Sequence, residues 1–261
     1  MLNLSDRDID ERLIDCSADG DIEAVEALLS IGANPRSQES AALRIAADHG
    51  HAECVKLLLP ASDSKSLGSQ ALLLAAGSGS AECVKLLIPA SDPKSGHSQA
   101  LRWAAHHGHA ECVKLLIPVS DPKILDSQSL RFAVVSGHAE CVRLLIPVSD
   151  PTALGFGALR SAADKGDVEC FKLLIPVSAP LIEMTEALSD ALGAGHASII
   201  SLMLAHEPRL LKAMDLHESL QRAIAQKHSD LEGLLRSLIE NQELSCHLSL
   251  SCSAIINPPR L

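Results

Sequence analysis

One eighteen-residue stretch, Leu101-Arg-Trp-Ala-Ala-His-His-Gly-His-Ala-Glu-Cys-Val-Lys-Leu-Leu-Ile-Pro118, is rewritten along most of this chain. Versions of it occupy Leu43 to Pro60, Leu72 to Pro89, Leu130 to Pro147 and Leu159 to Pro176. Gly50, Gly79, Gly108, Gly137 and Gly166 stand 29 residues apart, as do Cys54, Cys83, Cys112, Cys141 and Cys170. A fixed period of this size marks a solenoid, in which each unit buries its apolar face only against its neighbours.

The pattern inside the period is helical. Leu101, Ala104 and Ala105 make one narrow apolar stripe, and paired alanines let a second helix approach closely. Gly108 breaks the chain. A second helix then runs Ala110 to Ile117 with Cys112, Val113, Leu115 and Leu116 inward, until Pro118 forces the residue before it out of the α region. Ser40, Ser69, Ser98 and Ser127 are placed as N-caps for the first helices; the sixth unit has Gly155-Phe-Gly157 there and should be looser. Asp92, Asp121 and Asp150 precede prolines and can bond their own following backbone in a turn. Glu/Lys pairs such as Glu111 and Lys114 lie i, i+3 on a solvated face. The composition agrees: 47% apolar but 2% aromatic, with no Tyr, three Phe and one Trp, which suits close-packed helices and disfavours β-sandwiches and barrels.

On either side the pattern loosens. Asp8 to Leu29 gives a first pair, Ile9 to Ala18 and Ile22 to Ser30, closed by Gly32-Ala-Asn-Pro35. Thr185 to Ala205 is a seventh pair, in register at Gly195-His196, and Leu216 to Glu240 an eighth without clear register. The expected organisation is one repeat domain over 1–243, with a cap at 8–37, repeats at 38–207 and a degenerate cap at 208–243, followed by a tail at 244–261.

The net charge of −11 argues against nucleic acid or an anionic membrane as main partner. Acid concentrates at the start, where Asp6, Asp8, Asp10, Glu11, Asp15, Asp19, Asp21, Glu23 and Glu26 face only Arg7 and Arg12. This reads either as a solvated end cap or as a docking surface for a basic partner. Five of the eight cysteines share one mid-helix position. Neighbouring copies about 10 Å apart are too distant for a disulfide, so they read as small buried hydrophobes in a reducing, cytoplasmic compartment. No signal-peptide core and no apolar run of about 18 residues is present, a test blind to specialised secretion into a host cell.

The units resemble ankyrin repeats. The matching residues are Leu-x-x-Ala-Ala-x-x-Gly-His-x-Glu-x-Val-Lys-Leu-Leu at Leu43 to Leu58 and Leu101 to Leu116, joined by Gly20-Asp21-Ile-Glu-Ala-Val and Gly32-Ala-Asn-Pro35. Three features depart from the family. The period is 29 residues rather than the family's usual length, Ser98-Gln-Ala-Leu101 replaces Thr-Pro-Leu-His, and Pro118-Val-Ser-Asp121 replaces the Gly-Ala-Asp ending. The missing residues fall where ankyrin proteins form a projecting β-hairpin. The resemblance therefore implies an all-α, ankyrin-like helix-turn-helix solenoid of about eight helix pairs, with β-hairpin fingers shortened or absent. Near-identical tandem units also resemble bacterial ankyrin arrays, which implies a recently amplified array with a host-associated or competitive role.

The resemblance further implies that the first helices line a concave face. Its outward positions are Ile45, Asp48 and His49; Leu74, Gly77 and Ser78; Trp103, His106 and His107; Phe132, Val135 and Ser136; and Ser161, Asp164 and Lys165. These vary while the residues around them are copied. Trp103 and Phe132, two of the four aromatic residues, read either as binding anchors or as packing between neighbouring first helices. A metal set of His106, His107, His109 and Cys112 is disfavoured, because adjacent helical histidines point about 100° apart. Arg44, Arg102, Arg131 and Arg160 are expected to pair with the loop aspartates, with a bridging phosphate as the alternative. No phosphate loop, nucleophile elbow or catalytic set stands outside the repeated framework.

The expected function is non-enzymatic. A monomeric scaffold without a cofactor or metal binds a partner protein on the concave face, as inhibitor, adaptor or effector. Self-assembly into a structural element is the alternative, ahead of a metal- or phosphate-binding module.

Overall fold

A computed structural model describes the backbone of residues 6–177 and 181–256; side chains are described there except at 6–7, 66–68, 154–156, 181–183, 213 and 245–256. The chain divides into two compact units, Met1–Ala158 and Leu159–Leu261. Among the described residues there are helices and turns and no strand, so the β-fingers are absent.

The first unit alternates longer first helices with short second ones. They are α1 (Asp6–Asp19), α2 (Ile22–Ser30), α3 (Ser37–Asp48), α4 (Ala52–Leu58), α5 (Ser66–Ser78), α6 (Ala81–Leu87), α7 (Ser95–His107), α8 (Ala110–Leu116), α9 (Ile124–Val135) and α10 (Ala139–Leu145). A seven-residue helix is too short to persist alone. Each of the seven-residue helices α4, α6, α8 and α10 is held by burying its Cys, Val and final Leu completely, as at Cys112, Val113 and Leu116. First helices pack on first helices, α1 on α3, α3 on α5, α5 on α7 and α7 on α9. The contact runs through fully buried alanine pairs at 46/47, 75/76 and 104/105. The α-helix α8 ends at Leu116 as the following proline requires, and the chain tightens into a 3-10 turn over Ile117–Val119 that holds Pro118.

The starts of the first helices differ from the expected N-cap. Gln38, Glu39 and Ser40 all have φ between 48° and 60°, as do Gly96, His97 and Ser98 near 57°, and Leu125, Asp126 and Ser127 between 50° and 57°. The right-handed helix thus begins only after the serine, and a left-handed turn precedes it. The serine does not cap its own helix. Its buried oxygen accepts the amide of an aspartate in the next unit: Ser40 from Asp63 at 2.9 Å, Ser69 from Asp92 at 2.8 Å, Ser98 from Asp121 at 2.9 Å and Ser127 from Asp150 at 2.8 Å. Asp92, Asp121 and Asp150 make the expected turn, and Asp63 makes it too, each Oδ1 accepting the amide two residues on, as in Asp121 to Lys123 at 3.1 Å.

The arginines also find other partners than expected. Arg44 donates to Gln70 Oε1 at 2.8 Å and to the carbonyl of Gln38 at 3.0 Å. Arg102 donates to Gln128 Oε1 at 2.7 Å and to the carbonyls of Gly96 and His97. The guanidinium therefore saturates carbonyls freed by the left-handed turn and ties that turn to the following helix. The loop aspartates are already occupied by backbone amides.

In the second unit, the end of α11 (Ala153–Lys165) is followed by α12 (Val168–Leu174), α13 (Leu181–Ala194), α14 (Ala197–His206), α15 (Leu210–Ala213), α16 (Leu216–Gln226) and α17 (Ser229–Ile256). Arg160 here pairs with Asp190 at 2.8 Å and Glu186 at 3.0 Å, helix acids rather than loop aspartates. Lys227 stands in for a turn glycine, in the left-handed region at φ 62°. Register is kept into the eighth pair, because His228 lies over Gly195 as His196 lies over Gly166. The short α15 accommodates the extra residues between them. Helix α17 runs through Leu244 without a break; residues 257–261 of the expected tail lie outside the described residues, as does the side chain of Phe156.

Candidate interaction face

The turn glycine and the histidine that opens each second helix lock one unit to the next. Gly79 has φ 81°, a conformation glycine adopts without strain, and a Cβ there would lie 2.4 Å from Nδ1 of His109. The imidazole fills that space and donates from Nε2 to the carbonyl of Gly77 at 2.9 Å. His51 does the same to Ala18, and His138 to His106 at 3.0 Å. These histidines are framework, and Cys112 is core: burial pushes its thiol up to about 11. Among the described residues no three of His, Cys, Asp and Glu converge as a metal site needs, and those cysteines are unpaired.

This frame carries the expected outward positions of α3, α5, α7 and α9. Ile45, Leu74 and Phe132 are half-buried there, and Asp48, His49, Ser78, His106 and His107 are exposed. Trp103 and Val135 are each 41% exposed. Asp164 and Lys165, at the end of α11, are exposed in the second unit.

The face has a centre. Trp103 rests on Gly77, whose missing side chain leaves room: a Cβ there would lie 3.1 Å from the indole Cε3. His107 turns its Nδ1–H onto the Trp103 carbonyl at 2.9 Å and holds its ring 5.4 Å from the indole. His106 lies edge-on to His107 at 5.0 Å and 5.5 Å from Phe132, and its Nδ1 shares a hydrogen bond with Ser136 Oγ at 3.0 Å. Trp103, His106, His107 and Phe132 thereby line a cleft of about 300 Å³. The packing reading holds for Trp103, whose indole rests on Gly77 of α5, and the rest of the ring stays exposed. Gly77 is the signal passed over: it replaces a larger residue one unit before the only tryptophan.

A second cleft of about 440 Å³, between α13 and α16, was not anticipated from sequence. Its charged groups are engaged internally, Asp215 capping α16 through the Glu218 amide and Glu218 pairing with Arg222.

An all-helical array of turn-linked pairs with a variable first-helix face defines a repeat scaffold. The family model for ankyrin repeats (3 copies) matches residues 13–96 and 101–185, and the chain belongs to the ankyrin-repeat family. Among solved structures, the human ASB11 ankyrin repeat domain is similar over 75% of this chain and 97% of its own, at 23% identity and a TM-score of 0.63. No curated protein matches. Ankyrin repeats are in general protein–protein interaction modules. Among the described residues, no helix is long and apolar enough to cross a membrane.

Proposed function

We propose that this protein binds a partner protein on the first-helix face of α3, α5, α7 and α9, with no chemistry of its own, and so acts as an inhibitor, adaptor or effector. The observation that carries the reading is the cleft of Trp103, His106, His107 and Phe132. It places exposed aromatic surface on a rigid frame at positions that differ from unit to unit. Aromatic side chains on a preformed surface anchor interfaces at low entropic cost. Asp164 and Lys165 occupy the corresponding repeat positions in the second unit, where they are exposed. The free protein is a monomer, and it works in a reducing compartment, the second reading supported by the buried unpaired thiols. The negative charge disfavours nucleic acid and anionic lipid.

The test is affinity capture from lysate with wild type and a Trp103→Ala/Phe132→Ala variant, both confirmed as folded by circular dichroism. A partner held by wild type and lost by the variant is the expected result. Equal capture by both would move the site elsewhere. The competing reading, self-association through the exposed Trp103 and Val135, requires sedimentation that depends on protein concentration.

A further inference from the structure

The interaction face of the first unit is polarised along the array. Aligning turn glycines Gly20 and Gly50 puts Asp15 at the position of Ile45 and Asp19 at that of His49. Both are exposed on α1, which packs directly on α3, where Asp48 is exposed as well. The only base nearby in that helix is Arg12, one turn before Asp15. From Leu74 to Ser136 the same positions carry no formal charge and include the aromatic cleft. One end of the face is therefore acidic and the other apolar.

Resting on the reading just given, we propose that this face binds a flexible partner segment in extended form, with bulky apolar side chains in the Trp103–Phe132 cleft and Lys or Arg side chains against Asp48, Asp15 and Asp19. Charge complementarity names the basic end. The spacing sets the length. Packed helices lie about 8–10 Å apart, so α3 lies roughly 20 Å and α1 roughly 30 Å from α7. An extended chain rising about 3.3 Å per residue covers those distances in roughly six to nine residues. A cleft of about 300 Å³ receives side chains rather than a helix about 10 Å across.

Trp103 is the only tryptophan, so its fluorescence reports on the cleft directly. The probes are synthetic peptides with three lysines, a seven-residue glycine–serine spacer and Leu-Phe-Leu, made in both orders, with Glu-for-Lys and Ser-for-apolar controls. One order should shift Trp103 emission to shorter wavelength and bind at least tenfold more tightly than either control. Binding should weaken with salt. A folded Asp15→Asn/Asp19→Asn/Asp48→Asn protein should lose about tenfold in affinity and most of the salt dependence, and Phe132→Ser should abolish the shift. Silence from both orders, or undiminished binding by the triple variant, would overturn the proposal. If the peptides fail while a captured partner still depends on Trp103 and Phe132, the segment is wrong and the face stands. If no partner depends on those two residues, both fall.

Discussion

A side chain on Gly108 would meet Nδ1 of His138 at 2.5 Å, and the same imidazole donates to the carbonyl of His106 at 3.0 Å. The turn glycine thus carries two requirements, a left-handed φ of 81° and room for the next unit's ring. Gly108→Ala should cost about 2–4 kcal/mol, roughly 1 from the backbone and the rest from the collision. His138→Ala alone should cost about 1 kcal/mol. The double variant should be more stable than the sum of the two predicts, because the collision is gone. Chemical denaturation of the four proteins checks the cycle.

Two serines on one turn should respond in opposite directions. Ser127 accepts the Asp150 amide, so Ser127→Ala leaves a part-buried donor unpaired and should destabilise by about 1–2 kcal/mol. The fully buried Ser129 hydroxyl has no partner, and the other near-identical repeats have alanine at this position, Ala42, Ala71, Ala100 and Ala158. It cannot reach back one turn as Ser17 does to Leu13, because Leu125 lies in the left-handed turn. Ser129→Ala should stabilise by about 1 kcal/mol, read as a higher denaturation midpoint at unchanged slope.

The left-handed turns should reverse the usual effect of alanine. Gly96 falls inside helix α7 by hydrogen bonding but has φ 57°, so Gly96→Ala should destabilise by about 1 kcal/mol. Gly233 in α17 has no positive φ, and a Cβ added there would meet nothing within 4 Å. Gly233→Ala should therefore stabilise by about 1 kcal/mol. Thermal melts of the two variants suffice.

Stability should fall steeply in alkali. Burial raises the thiols of Cys83, Cys112 and Cys141 to about 11 and that of Cys170 to about 12, from an ordinary 9.0. The folded state therefore holds these protons more tightly than the unfolded state. Their contribution is complete below about pH 9 and is lost as pH rises through 11, at about 1.4 kcal/mol per thiol per pH unit. Denaturation midpoints between about pH 7 and 10.5 should show the slope, and Cys112→Val should reduce it by one thiol's share. A midpoint flat across that range would contradict the burial of these groups.

Acid should reveal one exposed pair. Arg209 holds the Glu207 carboxyl down at about 2, through side-chain and backbone hydrogen bonds. Any stabilisation from the pair is present above the ordinary glutamate range and disappears as pH falls through 2. Carboxyl NMR should find that midpoint in wild type and a higher one in Arg209→Ala, which loses the side-chain bonds and keeps only the backbone amide bond.

The helix pairs, the turn glycines, the aspartate turns and the outward positions were legible because the chain states them repeatedly, so that fixed residues separate from variable ones. The left-handed turns were not. Gln38, Glu39, Leu125 and Asp126 carry no strong preference for positive φ, and only Gly96 hints at it. The serine spacing was visible, but whether the hydroxyl bonds its own helix or the next unit is decided by tertiary placement. The arginines were assigned by charge, whereas freed carbonyls and Gln70 or Gln128 lay closer. The cleft combined a legible half, Trp103 and Phe132, with an illegible one, the seat that Gly77 offers the indole.

The serine-to-aspartate bonds from Ser40, Ser69, Ser98 and Ser127 each join one unit to the one after it, and a solenoid unit is held by its neighbours. Pulled from its first residue, such an array should come apart like a zip fastener rather than burst. Each step would release one 29-residue period, about 100 Å of extended chain at roughly 3.5 Å per residue, so that the unit bearing the aromatic cleft yields only after those before it have let go.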